Sequence, residues 1–258
     1  ARSPPPRARG HRHRVAASAS DPSPAPGSPR AMILLGLTGS VAMGKSFVAR
    51  VASEMGVPVL DSDAVVHELY APGGAAVSPV RAMFGPGVVA EDGGVSRPAL
   101  GPLVLGDADE AKANMAALET LVHALVDERR RAFLDECAAS GHALVILDVP
   151  LLYEKGYEST VDAVAVASAG DAETQRRRAL ARPGMTPEKF AHIAARQMPD
   201  EEKRRRADFI IETGCAEAET EAAVRKLVEK LRGADGGGVE ALAYERGKRE
   251  REAKRAPG

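Results

Sequence analysis

Gly39-Ser40-Val41-Ala42-Met43-Gly44-Lys45-Ser46 carries the spacing GxxxxGKS, and the apolar run Met32-Ile33-Leu34-Leu35-Gly36-Leu37 leads into it. Phe47-Val48-Ala49-Arg50-Val51-Ala52 follows with helical character. Strand, glycine-bounded loop and helix in that order are what a phosphate-binding loop requires. Glycine lets the backbone turn tightly, so that several N–H groups converge on phosphate oxygens. A helix beginning there adds unpaired donors and the positive end of its dipole. In such a loop Lys45 reaches the β and γ phosphates, and the Ser46 hydroxyl binds Mg2+. A glycine-rich turn with no ligand could match the same letters, but the flanking strand and helix in register speak against it.

Working outward, the 258 residues allow one or two domains and a sizeable core. A formal net charge of -1 supplies no global field for nucleic acid or an anionic membrane. Cys137 and Cys215, the two cysteines, are far apart and lack metal-ligand spacing, which fits a reducing compartment. No apolar stretch approaches the ~18 residues of a membrane span. A soluble, cytoplasmic protein is expected.

Residues 1–31 are rich in Pro, Arg, Ser and Ala, with Asp21 the single acid and no apolar period. Such a segment buries too little surface to offset its ordering entropy and reads as a disordered leader. It has the composition of an organellar transit peptide, which would make the location organellar. The rival is upstream sequence before a start at Met32, and the Pro density favours that rival.

From Met32 onward short apolar strands alternate with helices, the signature of a parallel α/β sheet. The strands are expected at Ile33–Leu37, Val57–Leu60, Ala143–Leu147, Ala163–Ala167 and Phe209–Ile211. Lys45–Met55 is the first helix, with Gly56 placed to end it. The long insertion 64–141 reads mostly as helix, broken by a turn-rich stretch from Pro72 to Gly106. Within Asp109–Cys137, Met115, Leu118, Leu121, Val122 and Leu125 recur at helical spacing, a stripe that suits core packing. Thr186-Pro187-Glu188 opens a helix over Glu188–Gln197, and Ala216–Leu231 is the last one. Residues 233–258 read as a charged, solvated tail. Glutamates interrupt its basic residues and no aromatic lies among those basic residues, so RNA binding is not expected there.

Val59-Leu60-Asp61-Ser62-Asp63 brings two carboxylates to the end of the second strand. While the chain stays extended, a two-residue period points both to one side. Strand C-terminal ends line the ligand crevice of an open parallel sheet. A carboxylate there could take the proton of an attacking hydroxyl. Equally, Asp63 could merely cap the helix that follows. Asp148, ending the next strand, could sit on a metal's water shell or simply begin a loop. Gln175-Arg176-Arg177-Arg178 and Arg182 form a basic cluster that fits an exposed helix face. It also fits a lid that neutralises a transferring phosphoryl group.

Taken together, these motifs closely resemble the dephospho-coenzyme A kinase family. The resemblance is carried by Gly36-Leu37-Thr38-Gly39 before the loop, by Asp61-Ser62-Asp63, and by Pro150-Leu151-Leu152-Tyr153-Glu154. It continues through Gln175, Arg178, Arg182, Arg196-Gln197-Met198-Pro199, Glu202-Lys203 and Ala207-Asp208-Phe209-Ile210-Ile211. It spans about Met32 to Arg232. It implies a P-loop kinase-like parallel sheet flanked by helices, with a helical acceptor domain inserted over about 64–141 and a small lid over about 176–198. It implies ATP and Mg2+ as cofactors and dephospho-coenzyme A as acceptor, phosphorylated on its ribose 3′-hydroxyl in the last step of coenzyme A synthesis. By position, Asp63 is the expected general base, Lys45 the phosphate clamp, Arg182 the lid arginine and Ser46 the metal ligand. ATP is expected on Gly39, Ala42, Met43, Gly44, Lys45, Ser46, Phe47 and Arg182, with adenine near Thr213-Gly214. The acceptor is expected on Asp61, Asp63, His123 and Leu152.

Three departures from the family pattern stand out. Phe47 replaces a usual Thr whose hydroxyl helps hold the α-phosphate, a bond to a charged group worth about 1.5–3 kcal/mol. Its backbone N–H is expected to survive as a donor. Ala42 replaces a usual Gly, at a cost of roughly 1–2 kcal/mol if that position needs positive φ. Ala124 follows His123 where Pro is usual. The alternative reading keeps the fold and changes the acceptor to another small metabolite or nucleoside. A GTPase-type switch is disfavoured because no Asn/Thr-Lys-x-Asp guanine-reading segment is present.

Overall fold

A computed structural model describes residues 32–233; the expected leader and all but the first residue of the charged tail lie outside the described residues. Five strands form one parallel sheet: β1 (Ile33–Thr38), β2 (Val59–Asp61), β3 (Leu144–Asp148), β4 (Ala163–Ser168) and β5 (Phe209–Glu212), in the order β2-β3-β1-β4-β5. β3 and β4 are buried at every position, as strands covered on both faces must be. That is why they read as unbroken apolar runs.

One face of the sheet packs against helix α1 (Lys45–Glu54) and the C-terminal helix α9 (Glu217–Arg232). Val48, Val51 and Ala52 from α1 meet Val224, Val228 and Leu231 from α9 across Leu35, Ile146 and Ala165. The other face is covered by the segment between β2 and β3. It comprises α2 (Ser62–Tyr70), α3 (Val77–Phe84), α4 (Arg97–Val104) and α5 (Asp109–Ala139). The α5 stripe packs inward as expected, with Leu118 buried and Met115, Leu121, Val122 and Leu125 partly so.

α3 and α4 lie inside the stretch expected to be a turn-rich break, and this is a correction. Pro79, Pro98, Gly101 and Pro102 hide the helical period in the sequence. Tertiary packing overrides them: Val80, Leu100 and Val104 are buried against α5 and its neighbours. Ser96 caps α4 by accepting from the Ala99 N–H at 3.3 Å, and Pro98 sits in the first turn, where no N–H is needed.

After β4 come α6 (Ala172–Leu180), α7 (Pro187–Ala194) and α8 (Asp200–Arg206). α7 starts where Thr186 and Pro187 predict, with Thr186 accepting from Lys189 N–H at 3.2 Å, but ends at Ala194 short of the expected Gln197. Two of the quoted motifs meet beneath α8. Lys203 is fully buried, pairs with Glu154 at 2.9 Å and donates to the Pro150 carbonyl at 3.2 Å. Glu154 also accepts from the Met198 N–H at 2.7 Å. The loop after β3 and the segment before α8 are thereby tied together. Lys203→Met should lower unfolding free energy by roughly 3–5 kcal/mol in a urea titration, since removing the buried cation leaves the largely buried Glu154 carboxylate without its ion-pair partner. A loss below about 1 kcal/mol, the range of an exposed pair, would contradict this.

Candidate active site

Parallel strands put the tips of β1, β2 and β3 at one edge, and the chemistry gathers there. β1 runs into the loop 39–46, whose left-handed Gly44 (φ 86) immediately precedes α1. A Cβ on Gly44 would meet Thr213 at 2.8 Å, so glycine answers both the conformation and the close approach. Ala42 is the single non-glycine residue with positive φ among the described residues, at 62°. The suspected strain at that position is therefore present. Ala42 and Met43 have buried side chains and offer a ligand only their backbone.

The loop is braced from both sides. The Val41 N–H donates to Gln197 Oε1 at 2.8 Å, and the Val41 carbonyl accepts from Gln175 Nε2 at 2.9 Å. The Met43 carbonyl accepts from Thr213 Oγ1 at 2.9 Å, while Arg178 donates to the Thr213 carbonyl at 2.7 Å and its hydroxyl at 3.3 Å. The basic cluster is thus divided by role. Arg176 and Arg177 are exposed, Arg178 is a brace, and Arg182 reaches the cavity over the loop.

Lys45 Nζ donates to Asp148 Oδ1. Asp148 is buried and lies beside Asp61 in the β2–β3 register. Burial pushes the Asp148 carboxyl above its ordinary range, the Lys45 charge and hydrogen bond draw it back, and Asp61 and Asp63 push it further up. Asp148 therefore anchors the loop's cation; it does not simply start a loop. Asp61, not Asp63, caps α2, accepting from the Asp63 and Ala64 N–H groups at 2.8 and 3.1 Å. The chain does not stay extended past Asp61; Asp63 occupies the first turn of α2 and its carboxylate is exposed.

Two cavities meet at Asp63 and Pro150. One, of about 310 Å³, is lined by the loop from Gly39 to Ser46 together with Asp61, Arg182 and Gln197. The other, of about 220 Å³, lies between α2, α5 and the segment after β3, and holds His123, Arg130 and Lys155 on an otherwise largely apolar wall. Several expected ligands lie elsewhere. Leu152 is fully buried in the core, and its neighbour Leu151 lines the second cavity instead. Phe47 packs against the sheet with the Arg50 guanidinium 4.8 Å from its ring centroid, and its N–H donates to the Gly44 carbonyl at 3.0 Å. Thr213 is buried beneath the loop and a Cβ on Gly214 would strike the Ala169 carbonyl at 2.3 Å; neither residue lines the loop cavity.

The oxygen donors near the loop, Ser46 and the carboxylates of Asp61 and Asp63, are of the kind Mg2+ prefers. Among the described residues no three acids, imidazoles or thiols cluster closely enough to hold a metal by themselves. Among the same residues no helix is long and apolar enough to cross a membrane.

A family pattern described as dephospho-CoA kinase matches residues 33–218. A dephospho-CoA kinase of Novosphingobium aromaticivorans is 51% identical over 199 residues, covering 77% of this chain and 94% of that protein. The enzyme of the same name from Mesorhizobium japonicum is 50% identical over 205 residues, covering 80% of this chain and all of the relative. Among solved structures, a Thermus thermophilus protein superposes with a TM-score of 0.65 at 33% identity, over 78% of this chain and 99% of its own. A Campylobacter jejuni dephospho-CoA kinase, at 20% identity and a TM-score of 0.54 over 76% of this chain and 96% of its own, shares the fold.

Replacing Lys45 by Met should expose the electrostatic debt at Asp148. Its carboxyl would then be raised by burial and by Asp61 and Asp63 without opposition. A group with a raised folded pKa contributes stability that is present below its unfolded value and lost as pH rises through the folded one. The stability gap between Lys45→Met and the parent should therefore be smallest at acid pH, below the ordinary carboxylate range, and widen toward neutrality. Thermal melts across that range check this; a gap independent of pH would contradict it.

Proposed function

This chain belongs to the dephospho-coenzyme A kinase family and is a phosphotransferase of coenzyme A synthesis; we propose that it moves the γ-phosphoryl group of ATP to the ribose 3′-hydroxyl of dephospho-coenzyme A. The observation that carries the acceptor chemistry is the position of Asp63. Asp63 lines both the cavity over the phosphate loop and the adjoining cavity with His123. A hydroxyl entering from the second cavity meets a carboxylate on the wall it shares with the first. Asp63, exposed and spared the capping role by Asp61, is free to take that proton.

The triphosphate belongs on the loop, where the first amides of α1 and its dipole favour anions. Lys45 is held near the sheet by Asp148 until phosphate competes for it. Arg182 lines the same cavity and would neutralise charge on the transferring group. The attacking oxygen bonds to the γ-phosphorus, the bond to the β–γ bridging oxygen breaks, ADP leaves, and the hydroxyl proton goes to Asp63. Mg2+ bound with the nucleotide at Ser46 would offset the β and γ phosphate charge. His123 and the wall of the second cavity would position the acceptor; the helices of 64–141 serve as its binding region and the segment 176–198 as a lid.

An alternative acceptor, another nucleoside or small-metabolite hydroxyl, would use the same loop and base. Turnover with dephospho-coenzyme A should exceed that with adenosine, AMP or shikimate; no preference would overturn the acceptor assignment. Asp63→Asn should lower kcat by roughly 10²–10⁴-fold while leaving ATP affinity near that of the parent. An unchanged kcat in a folded variant would remove Asp63 from the chemistry.

A further inference from the structure

Ala42 sits at φ 62 without the freedom of glycine. A side-chain-bearing residue stays in that region only when its surroundings leave no alternative. Two side chains supply that constraint, both on the preceding residue. The N–H of Val41 belongs to the Ser40–Val41 peptide, and Gln197 accepts from it at 2.8 Å. The carbonyl of Val41 belongs to the Val41–Ala42 peptide, and Gln175 donates to it at 2.9 Å. Turning Ala42 to negative φ swings that second peptide and breaks the Gln175 bond.

We propose that Gln175 and Gln197 are positioning residues that clamp the two peptides of Val41, holding Ala42 left-handed and the loop amides ready for phosphate before the nucleotide arrives. The proposal rests on the reading that the loop holds ATP. Neither glutamine need touch the transferring atoms. Gln175 lies three residues from Arg178, so both project from one face of α6. Arg178 secures Thr213 beneath Met43, and α6 thus grips the loop on either side of the strained residue. Gln175 and Gln197 also bracket Arg182 in sequence, so the segment carrying that arginine is fastened to the loop at both ends.

The coupling is tested by crossing each glutamine change with Ala42→Gly, which removes the steric reason for a clamp. ATP dissociation constants are measured by titration calorimetry on the full chain for the parent, Gln175→Met, Ala42→Gly and the double variant. With Ala42 present, Gln175→Met should weaken ATP binding roughly five- to thirtyfold. In the Ala42→Gly background the same change should weaken it by no more than about twofold, the relief expected when an unstrained residue occupies that position. Gln197→Met follows the same pattern and serves should Gln175→Met fail to fold. An equal weakening in both backgrounds, or none in either, would overturn the proposal. A parent protein that bound no ATP would instead refute the nucleotide reading itself, and the clamp with it. Retained ATP binding with no turnover of dephospho-coenzyme A would leave the clamp standing and dismiss the acceptor.

Discussion

The Lys45 ammonium rests against a carboxylate that the sheet has taken out of water. Asp148 closes β3 at a buried position, beside Asp61 in register, and Lys45 begins the helix that follows the loop. Without that cation, burial and the negative charges of Asp61 and Asp63 would act on Asp148 unopposed. The pair therefore fastens the start of α1 to the C-terminal tip of β3 and fixes the distance between the amide nest and the acids. Surface ion pairs contribute little, but a buried pair is severe to break. Here that severity keeps the site in one arrangement.

A second constraint, steric in origin, acts on the loop. Gly44 supplies a left-handed turn and admits Thr213 at its back, whereas Ala42 adopts a similar turn against its own preference. Bonds to Val41 from Gln175 and Gln197, and to Met43 from a Thr213 backed by Arg178, fix the peptides on either side. Motif residues far from the loop in sequence, Gln175, Arg178 and Gln197, converge on these few peptides. Pro150, Glu154, Met198 and Lys203 form a further tie beneath α8. Much of what these motif residues do in this chain is thus support for the loop.

The sheet was legible because each strand is a short apolar run, buried throughout in β3 and β4, and every expected strand is found within two residues at either end. α5 and α9 were legible from their stripes, and α1 from its place after the loop and the glycine that ends it. α3 and α4 were not, because proline and glycine interrupt their period and the packing that sustains them is nonlocal. At the site, Lys45, Ser46, Asp61, Asp63, Arg182 and His123 line the two cavities. Leu152 was expected from the motif Pro150-Leu151-Leu152-Tyr153-Glu154, whose letters do not tell which leucine turns inward; Leu152 is fully buried and Leu151 lines the second cavity. Thr213 is buried beneath the loop and Gly214 is exposed beside it, so both lie outside the cavity that the loop itself lines. The glutamine braces carry no periodic signal, and only their place in the motif could have drawn attention to them.

The central claim is that a carboxylate shared by two cavities deprotonates the acceptor while the loop holds the donor. A crystal structure with a non-hydrolysable ATP analogue and dephospho-coenzyme A measures it directly. The account predicts the triphosphate on the amides around Lys45 and a carboxylate oxygen of Asp63 at about 2.6–3.2 Å from the ribose 3′-oxygen. An acceptor hydroxyl held by another group, with Asp63 turned to solvent, would contradict it.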